Sequence, residues 1–222
     1  MTSNLITLPR LYPILDADAL ARAEVPLATA ARTLYDAGVR WVQCRDKQAS
    51  DAEFAAAMQE MRAIFPAGEA VLLLNDRVHL CAQVGADGVH IGQEDMLAQL
   101  ARQILGPHYL LGVSTHNPAQ LNAAIATGAA DYLAIGPVFA TGSKENPDPV
   151  VGLEGVRAAR ASTRLPLVAI GGITGENGRA VIEAGADSVA VISAMLAQDG
   201  REMAERVQIG RASCRERVLM SV

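Results

Sequence analysis

The chain has 222 residues, 50% apolar and 19% charged, with a formal net charge of −5, enough for one well-buried domain and short of two ordinary ones. Its longest apolar stretch, Val189 to Ala197, is broken by Ser193 and falls far below the roughly 20 residues of a membrane helix, and an N-terminus carrying Arg10, Pro13, Asp16 and Asp18 has no signal-peptide core. With no basic run and 4% aromatic residues, it lacks the groups that track a phosphate backbone or stack on bases, so small molecules are the expected partners, not nucleic acid or membrane.

Three cysteines, Cys44, Cys81 and Cys214, form no CxxC pair and no Cys/His cluster; a reducing, cytoplasmic setting is expected. Of the 19 basic residues only Lys47 and Lys144 are lysines. A chain that otherwise writes its cations as Arg points to two sites wanting a compact ammonium with rotatable donors.

Four segments resemble one another: Tyr35-Asp-Ala-Gly-Val-Arg-Trp-Val, Gln83-Val-Gly-Ala-Asp-Gly-Val-His, Ala126-Thr-Gly-Ala-Ala-Asp-Tyr-Leu and Glu183-Ala-Gly-Ala-Asp-Ser-Val-Ala. In each, a glycine (Gly38, Gly85, Gly128, Gly185) ends a helical pattern as a left-handed cap, and a β-prone run follows. Further strand candidates lie between them, so that strands begin at Leu11, Trp41, Val71, Gly88, Leu110, Tyr132, Leu167 and Ser188. The connections read as helices: Leu27 to Ala37, Asp51 to Ile64, Val78 to Val84, Leu97 to Leu105, Pro118 to Ala126, Leu153 to Ala161, Asn177 to Ala184, and Ala194 onward. Eight evenly spaced strand-helix units predict an α/β fold, a single-domain (β/α)8 TIM barrel, in preference to an open doubly wound sheet.

That domain is expected to span residues 1–208. From Ile209 the chain loses its apolar periodicity, and Ile209-Gly-Arg-Ala-Ser-Cys-Arg-Glu-Arg-Val218 back-translates to the DNA of a common sequencing-library adapter. Residues 209–222 are therefore expected to be a non-native tail, read through from an interruption near Gln208, with the last helix truncated.

A barrel carries its chemistry on the loops after its strands. Strand two ends in Trp41-Val-Gln-Cys-Arg-Asp-Lys47, and alternation puts Gln43, Arg45 and Lys47 on one side with Cys44 toward the helices. The three could satisfy one another in a buried network, but two cations with no carboxylate on their face ask for an anion. Strand three ends at Asn75-Asp76 and strand four leads to Asp95; two carboxylates at one rim suit Mg²⁺, although each could instead cap a helix. Strand five offers the Ser114 hydroxyl, which could also cap the next turn. The long loop after strand six carries Thr141, Ser143 and Lys144, suited to an anionic oxygen cluster. Gly171 and Gly172 after strand seven, with Ile192 and Ser193 after strand eight, occupy the place where barrels often bind phosphate on backbone N–H groups.

In order and joint occurrence, Gln43-Cys-Arg-Asp-Lys47, Asn75-Asp76, Gly88-Val-His-Ile-Gly-Gln-Glu-Asp95, Gly112-Val-Ser-Thr-His116, Gly136-Pro-Val-Phe-Ala-Thr-Gly-Ser-Lys144, Ala169-Ile-Gly-Gly-Ile173 and Val189-Ala-Val-Ile-Ser-Ala194 resemble the thiamine phosphate synthase family over residues 11–200. The resemblance implies joining of a hydroxymethylpyrimidine diphosphate to a thiazole phosphate with release of pyrophosphate. It implies Gln43, Arg45, Lys47 and Asn75 around the pyrimidine diphosphate, Asp76 and Asp95 on Mg²⁺, and Ser114 and Lys144 on the pyrophosphate. It implies Thr141 and Ser143 on the thiazole, and Gly171, Gly172, Ile192 and Ser193 on its phosphate. The family usually has Thr at position 143 and a larger apolar residue at 44.

The expected chemistry is dissociative: the pyrimidine methylene sheds pyrophosphate as a stabilised cation, Lys47, Ser114 and Lys144 offset the leaving group's charge, and no protein nucleophile is needed. Two other barrels use part of this set. A thiazole tautomerase would bind the thiazole phosphate and want a base such as His116. A non-catalytic phosphate-binding barrel would keep only the loops of strands seven and eight.

Overall fold

Side chains alternate across a strand, so closing eight strands sorts their residues into a barrel interior and a helix-facing exterior. The computed structural model describes residues 6–142 and 148–214. In it β1 (Leu11–Asp16), β2 (Trp41–Arg45), β3 (Val71–Asn75), β4 (Gly88–Ile91), β5 (Leu110–Thr115), β6 (Tyr132–Ile135), β7 (Leu167–Ile170) and β8 (Ser188–Val191) pair in parallel in chain order and close through β8 and β1. Each strand begins where the sequence pattern places it. The four repeated glycines all have left-handed backbone, with φ of 82° at Gly38, 64° at Gly85, 60° at Gly128 and 115° at Gly185.

The helices are α1 (Ala17–Arg22), α2 (Leu27–Asp36), α3 (Asp51–Ile64), α4 (Ala98–Leu105), α5 (Pro118–Thr127), α6 (Gly152–Ser162), α7 (Gly178–Glu183) and α8 (Gly200–Ser213). Three differ from expectation. α1 is too short to leave a periodic signature; it forms because Asp16, at the end of β1, accepts the Ala19 N–H at 2.8 Å. Val78 to Val84 is not a helix but a 3-10 turn over Val78–Leu80, since only residues 76–87 are available to join β3 to β4. Past β8, Ser193–Met195 is a separate 3-10 turn and α8 starts at Gly200, capped by Asp199. α8 runs without a break at Gln208 through Ser213, and Cys214 behind it is buried.

The exterior of the strands packs on the helices through Leu15, Val42, Cys44, Leu72, Leu74, Val89, Leu111 and Leu133. The interior holds Tyr12, Ile14, Trp41, Leu73, Tyr132, Ala134, Val168 and Ala190. Cys44 thus faces the helices, and burial pushes its thiol well above the ordinary range. Cys44, Cys81 and Cys214 are all free thiols. No helix among the described residues is long and apolar enough to cross a membrane.

At the opposite end from the expected site, one clamp recurs three times. Asp87 Oδ2 accepts the Leu72 N–H and the Arg62 guanidinium, Asp131 Oδ2 accepts those of Leu111 and Arg102, and Asp187 Oδ2 those of Leu167 and Arg160. Each arginine also donates to carbonyls where its helix or the next loop turns, for example Arg102 to Gly106 and Tyr109. The repeat seen in the sequence is therefore a repeated ionic seam closing the barrel bottom, the end where residues serve stability. In the quarter formed by β1 and β2, Arg40 stands where the other three place Asp, and it stacks on Tyr35 with its guanidinium 3.8 Å from the ring centroid.

Candidate functional site

The strand ends open on a cavity of about 250 Å³, at the end where barrels carry their chemistry. Of the expected residues, its wall includes Gln43, Arg45, Asn75, Ser114, Thr141, Gly171, Gly172, Ile192 and Ser193. Ser143 and Lys144 lie outside the described residues. Lys47, Asp76 and Asp95 are not on the wall; they sit together beside it.

Arg45 and Lys47 are not unpaired cations. Parallel pairing of β1 with β2 sets Asp16 directly beside Arg45, and the two form an ion pair with the Asp16 side chain 3% exposed. The carboxylate missing from the face of β2 comes from the neighbouring strand. Lys47 Nζ lies 3.0 Å from Asp76 Oδ2 and 3.9 Å from Asp95 Oδ1, with 47% of its side chain exposed. Arg45 keeps part of its guanidinium for the cavity, held in direction by Asp16.

Neither rim carboxylate is a helix cap. Asp76 has left-handed backbone, φ 64°, with its N–H donated to His90 O at 2.9 Å. Asp95 accepts the Gly92 N–H at 2.7 Å, and α4 is preceded by Leu97, which makes no side-chain cap. The Asp76 carboxyl is pushed up to about 6 by burial and by the Asp95 carboxylate, against the pull of Lys47. Although burial raises Asp95 too, Asp76, the Gly92 N–H and Lys47 hold it below its ordinary range. Two carboxylates crowded this way, with a flexible ammonium between them, fit a hard divalent cation bound by one or two carboxylates. Among the described residues no third His, Cys, Asp or Glu joins them, so water and phosphate oxygens would complete such a shell.

Ser114 is not a cap either; Asn117 caps α5. Its Oγ lies 2.8 Å from His90 Nε2, and His90 Nδ1 lies 2.9 Å from the Tyr132 hydroxyl. Tyr132 meets the Tyr12 hydroxyl at 3.0 Å, Tyr12 donates to Gln43 Oε1 at 2.8 Å, and Gln43 donates to Asn75 Oδ1 at 2.9 Å. Gly112 makes this possible: a Cβ there would stand 2.1 Å from Tyr132 Cζ and 2.5 Å from His90 Nδ1. Sequence reasoning passed over His90, Tyr12, Tyr132 and Asp16. The available signal was a polar or hydroxylated residue at an inward position of β1, β4 and β6, as at β2, β3 and β5.

Gly171 and Gly172 have φ of 98° and 63°. A Cβ at Gly171 would come within 2.5 Å of Pro137 Cβ, and one at Gly172 within 2.5 Å of Ala140 O. The pair is glycine because the loop after β7 lies directly against the loop after β6, and that contact also keeps its backbone open to the cavity. His116 Nδ1 meets Gly136 O at 2.6 Å and Nε2 lies 3.5 Å from Asp148, so both ring nitrogens face protein acceptors.

The profile of the family described as thiamine monophosphate synthase matches residues 11–195. A thiamine-phosphate synthase of Koribacter versatilis is 50% identical over 207 residues, covering 92% of this chain and 97% of its own. One from Chloroflexus aurantiacus is 42% identical over 89% of each chain. Among solved structures, the thiamine phosphate pyrophosphorylase from Pyrococcus furiosus superposes with a TM-score of 0.80 at 34% identity, covering 93% of this chain and 97% of that one. With near full-length identity at that level and the same closed barrel, the chain belongs to the thiamine monophosphate synthase family.

Proposed function

We propose that the chain condenses 4-amino-2-methyl-5-hydroxymethylpyrimidine diphosphate with 4-methyl-5-(2-phosphoethyl)thiazole, giving thiamine phosphate and pyrophosphate in a Mg²⁺-dependent reaction. The observation that carries this reading is the convergence, on one cavity wall, of an amide pair (Gln43 and Asn75), an oriented cation (Arg45), a hydroxyl (Ser114) and the glycine loop after β7.

The bond between the pyrimidine methylene carbon and the diphosphate oxygen breaks with its electron pair staying on oxygen, and the thiazole nitrogen then closes on the cationic carbon. Gln43 and Asn75 meet the pyrimidine edge, and Arg45, aimed by Asp16, meets the diphosphate. Ser114 faces the leaving oxygens, while Gly171, Gly172, Ile192 and Ser193 receive the thiazole phosphate. Asp76 and Asp95 would hold Mg²⁺, which when bound neutralises diphosphate oxygens. What the protein supplies is alignment of two bound reactants and fixed charge, so no side-chain nucleophile is required. The tautomerase alternative needs His116 as a base, and both its nitrogens are already engaged.

The test mixes purified protein with both substrates, with and without Mg²⁺, and follows pyrophosphate and thiamine phosphate together. Equal, metal-dependent formation of both is expected. Folded protein that binds the thiazole phosphate but forms neither product would overturn the reading.

A further inference from the structure

Side chains along the cavity wall, joined through Tyr132 behind it, form an unbroken chain from the pyrimidine end of the proposed site to its leaving-group end: Asn75, Gln43, Tyr12, Tyr132, His90, Ser114. It passes through six strands and crosses the barrel between Tyr12 and Tyr132. Its two ends, Asn75 and Ser114, both stand on the cavity wall.

Each link has one hydrogen, and the donors can be followed. Gln43 donates from Nε2 to Asn75, so its Oε1 accepts from Tyr12. The single Tyr12 hydrogen is thereby used, and Tyr132 must donate to Tyr12. Tyr132 then accepts from His90, which places the imidazole hydrogen on Nδ1. A neutral imidazole protonated there offers only a lone pair at Nε2, so Ser114 donates to it. In this setting Ser114 turns lone pairs, not its hydrogen, toward the cavity. If both the Gln43 and Asn75 amides turn over, every link reverses at the same heavy-atom positions once the imidazole hydrogen is exchanged from Nδ1 to Nε2: one proton enters His90 Nε2 from cavity water, the Nδ1 hydrogen passes to Tyr132 and that of Tyr132 to Tyr12, and Tyr12 gives up its own to cavity water, both His90 and Tyr12 lining the cavity. Gln43 donates to Tyr12, Tyr12 to Tyr132, Tyr132 to Nδ1 and Nε2 to Ser114, and the Ser114 hydrogen is released to an anion. Burial pushes both phenols well above their ordinary range, so each keeps its one hydrogen in either setting.

We infer that His90, Tyr132 and Tyr12 are positioning residues that set the direction of the Ser114 O–H bond, and that the amide of Gln43 selects that direction from the far side of the barrel. This rests on the reading that Ser114 faces the leaving pyrophosphate and Gln43 the pyrimidine. On that reading, docking of a ring edge bearing both a donor and an acceptor on Gln43 fixes the amide. The chain carries that choice to the group that meets the leaving oxygens, so correct pyrimidine binding and leaving-group stabilisation are one event.

A double-mutant cycle tests it, with kcat and both KM values measured under saturating Mg²⁺ and thermal unfolding followed in parallel. Ser114→Ala lowers kcat about 100-fold, the scale of a lost donor to developing charge. Tyr132→Phe lowers kcat by about tenfold in the native background, near the net worth of one hydrogen bond, and leaves KM for the thiazole phosphate unchanged. In the Ser114→Ala background the same substitution changes kcat less than about twofold, since it acts only through Ser114. Tyr12→Phe, one link further away, shows the same non-additivity and serves if Tyr132→Phe fails to fold. An equal loss from the tyrosine substitutions in both backgrounds would overturn the relay while leaving the site reading intact. Unchanged turnover in Ser114→Ala itself would overturn the role of Ser114, and the relay with it.

Discussion

Asp16 joins the fold to the site more directly than any other residue, and its removal separates two contributions. Its Oδ1 caps α1 by accepting the Ala19 N–H at 2.8 Å, and its Oδ2 holds Arg45 while the side chain is 3% exposed. Asp16→Asn keeps a good cap but leaves the guanidinium without its charge partner. Breaking a buried pair from one side costs about 3 kcal/mol, the low end of the usual range because Arg45 is partly solvated. Asp16→Ala loses the cap as well, adding about 1 kcal/mol. For a domain of this size each kcal/mol moves the midpoint by about 3 °C, giving falls of about 9 °C for Asn and about 12 °C for Ala. Urea denaturation and thermal unfolding by far-ultraviolet circular dichroism measure both. Arg45, no longer aimed, also raises KM for the pyrimidine diphosphate several-fold in both variants. Asp16→Leu combined with Arg45→Met restores most of the stability, because a buried pair replaced by apolar groups leaves no orphan charge, and it does not restore substrate affinity. An Asp16→Asn protein within about 1 kcal/mol of the parent would refute the argument that this pair is buried and structural.

Arg102→Ala opens one of the three clamps at the barrel bottom and removes donors from Ala129, Gly106 and Tyr109; it should cost about 2 kcal/mol in urea denaturation with kcat per folded molecule unchanged. Gly112→Ala forces a methyl to 2.1 Å from the Tyr132 ring, so a stability loss of about 3 kcal/mol or more is expected, along with loss of turnover as the His90 contact is displaced. Asp76→Asn and Asp95→Asn should each raise the Mg²⁺ concentration needed for half-maximal activity, measured by metal titration. Asn tolerates the left-handed backbone at position 76, so unfolding midpoints near the parent value are expected and the deficit reports the lost charge.

The sequence alone determined what depends on local pattern. Apolar runs after the four left-handed glycines marked the start of β2, β4, β6 and β8, further β-prone runs marked the strands between them, and eight such units admit a closed barrel. The order of polar residues at the strand ends located the cavity wall, including Gln43, Arg45, Asn75 and Ser114. Features without a local period were not legible: six-residue α1, and the 3-10 turn where a helix was expected after Asp76. What only the tertiary structure decided is who neighbours whom. Arg45 reads as an unpaired cation until strand register brings Asp16, 29 residues away, alongside it. Lys47 likewise reads as an unpaired cation until the β3 and β4 loops bring Asp76 and Asp95 to it. Tyr12 and Tyr132 are 120 residues apart and meet only because the barrel closes and its inward side chains come together across the axis. Alternation along one strand tells which way a side chain points, whereas closure of the sheet supplies the partner it points at.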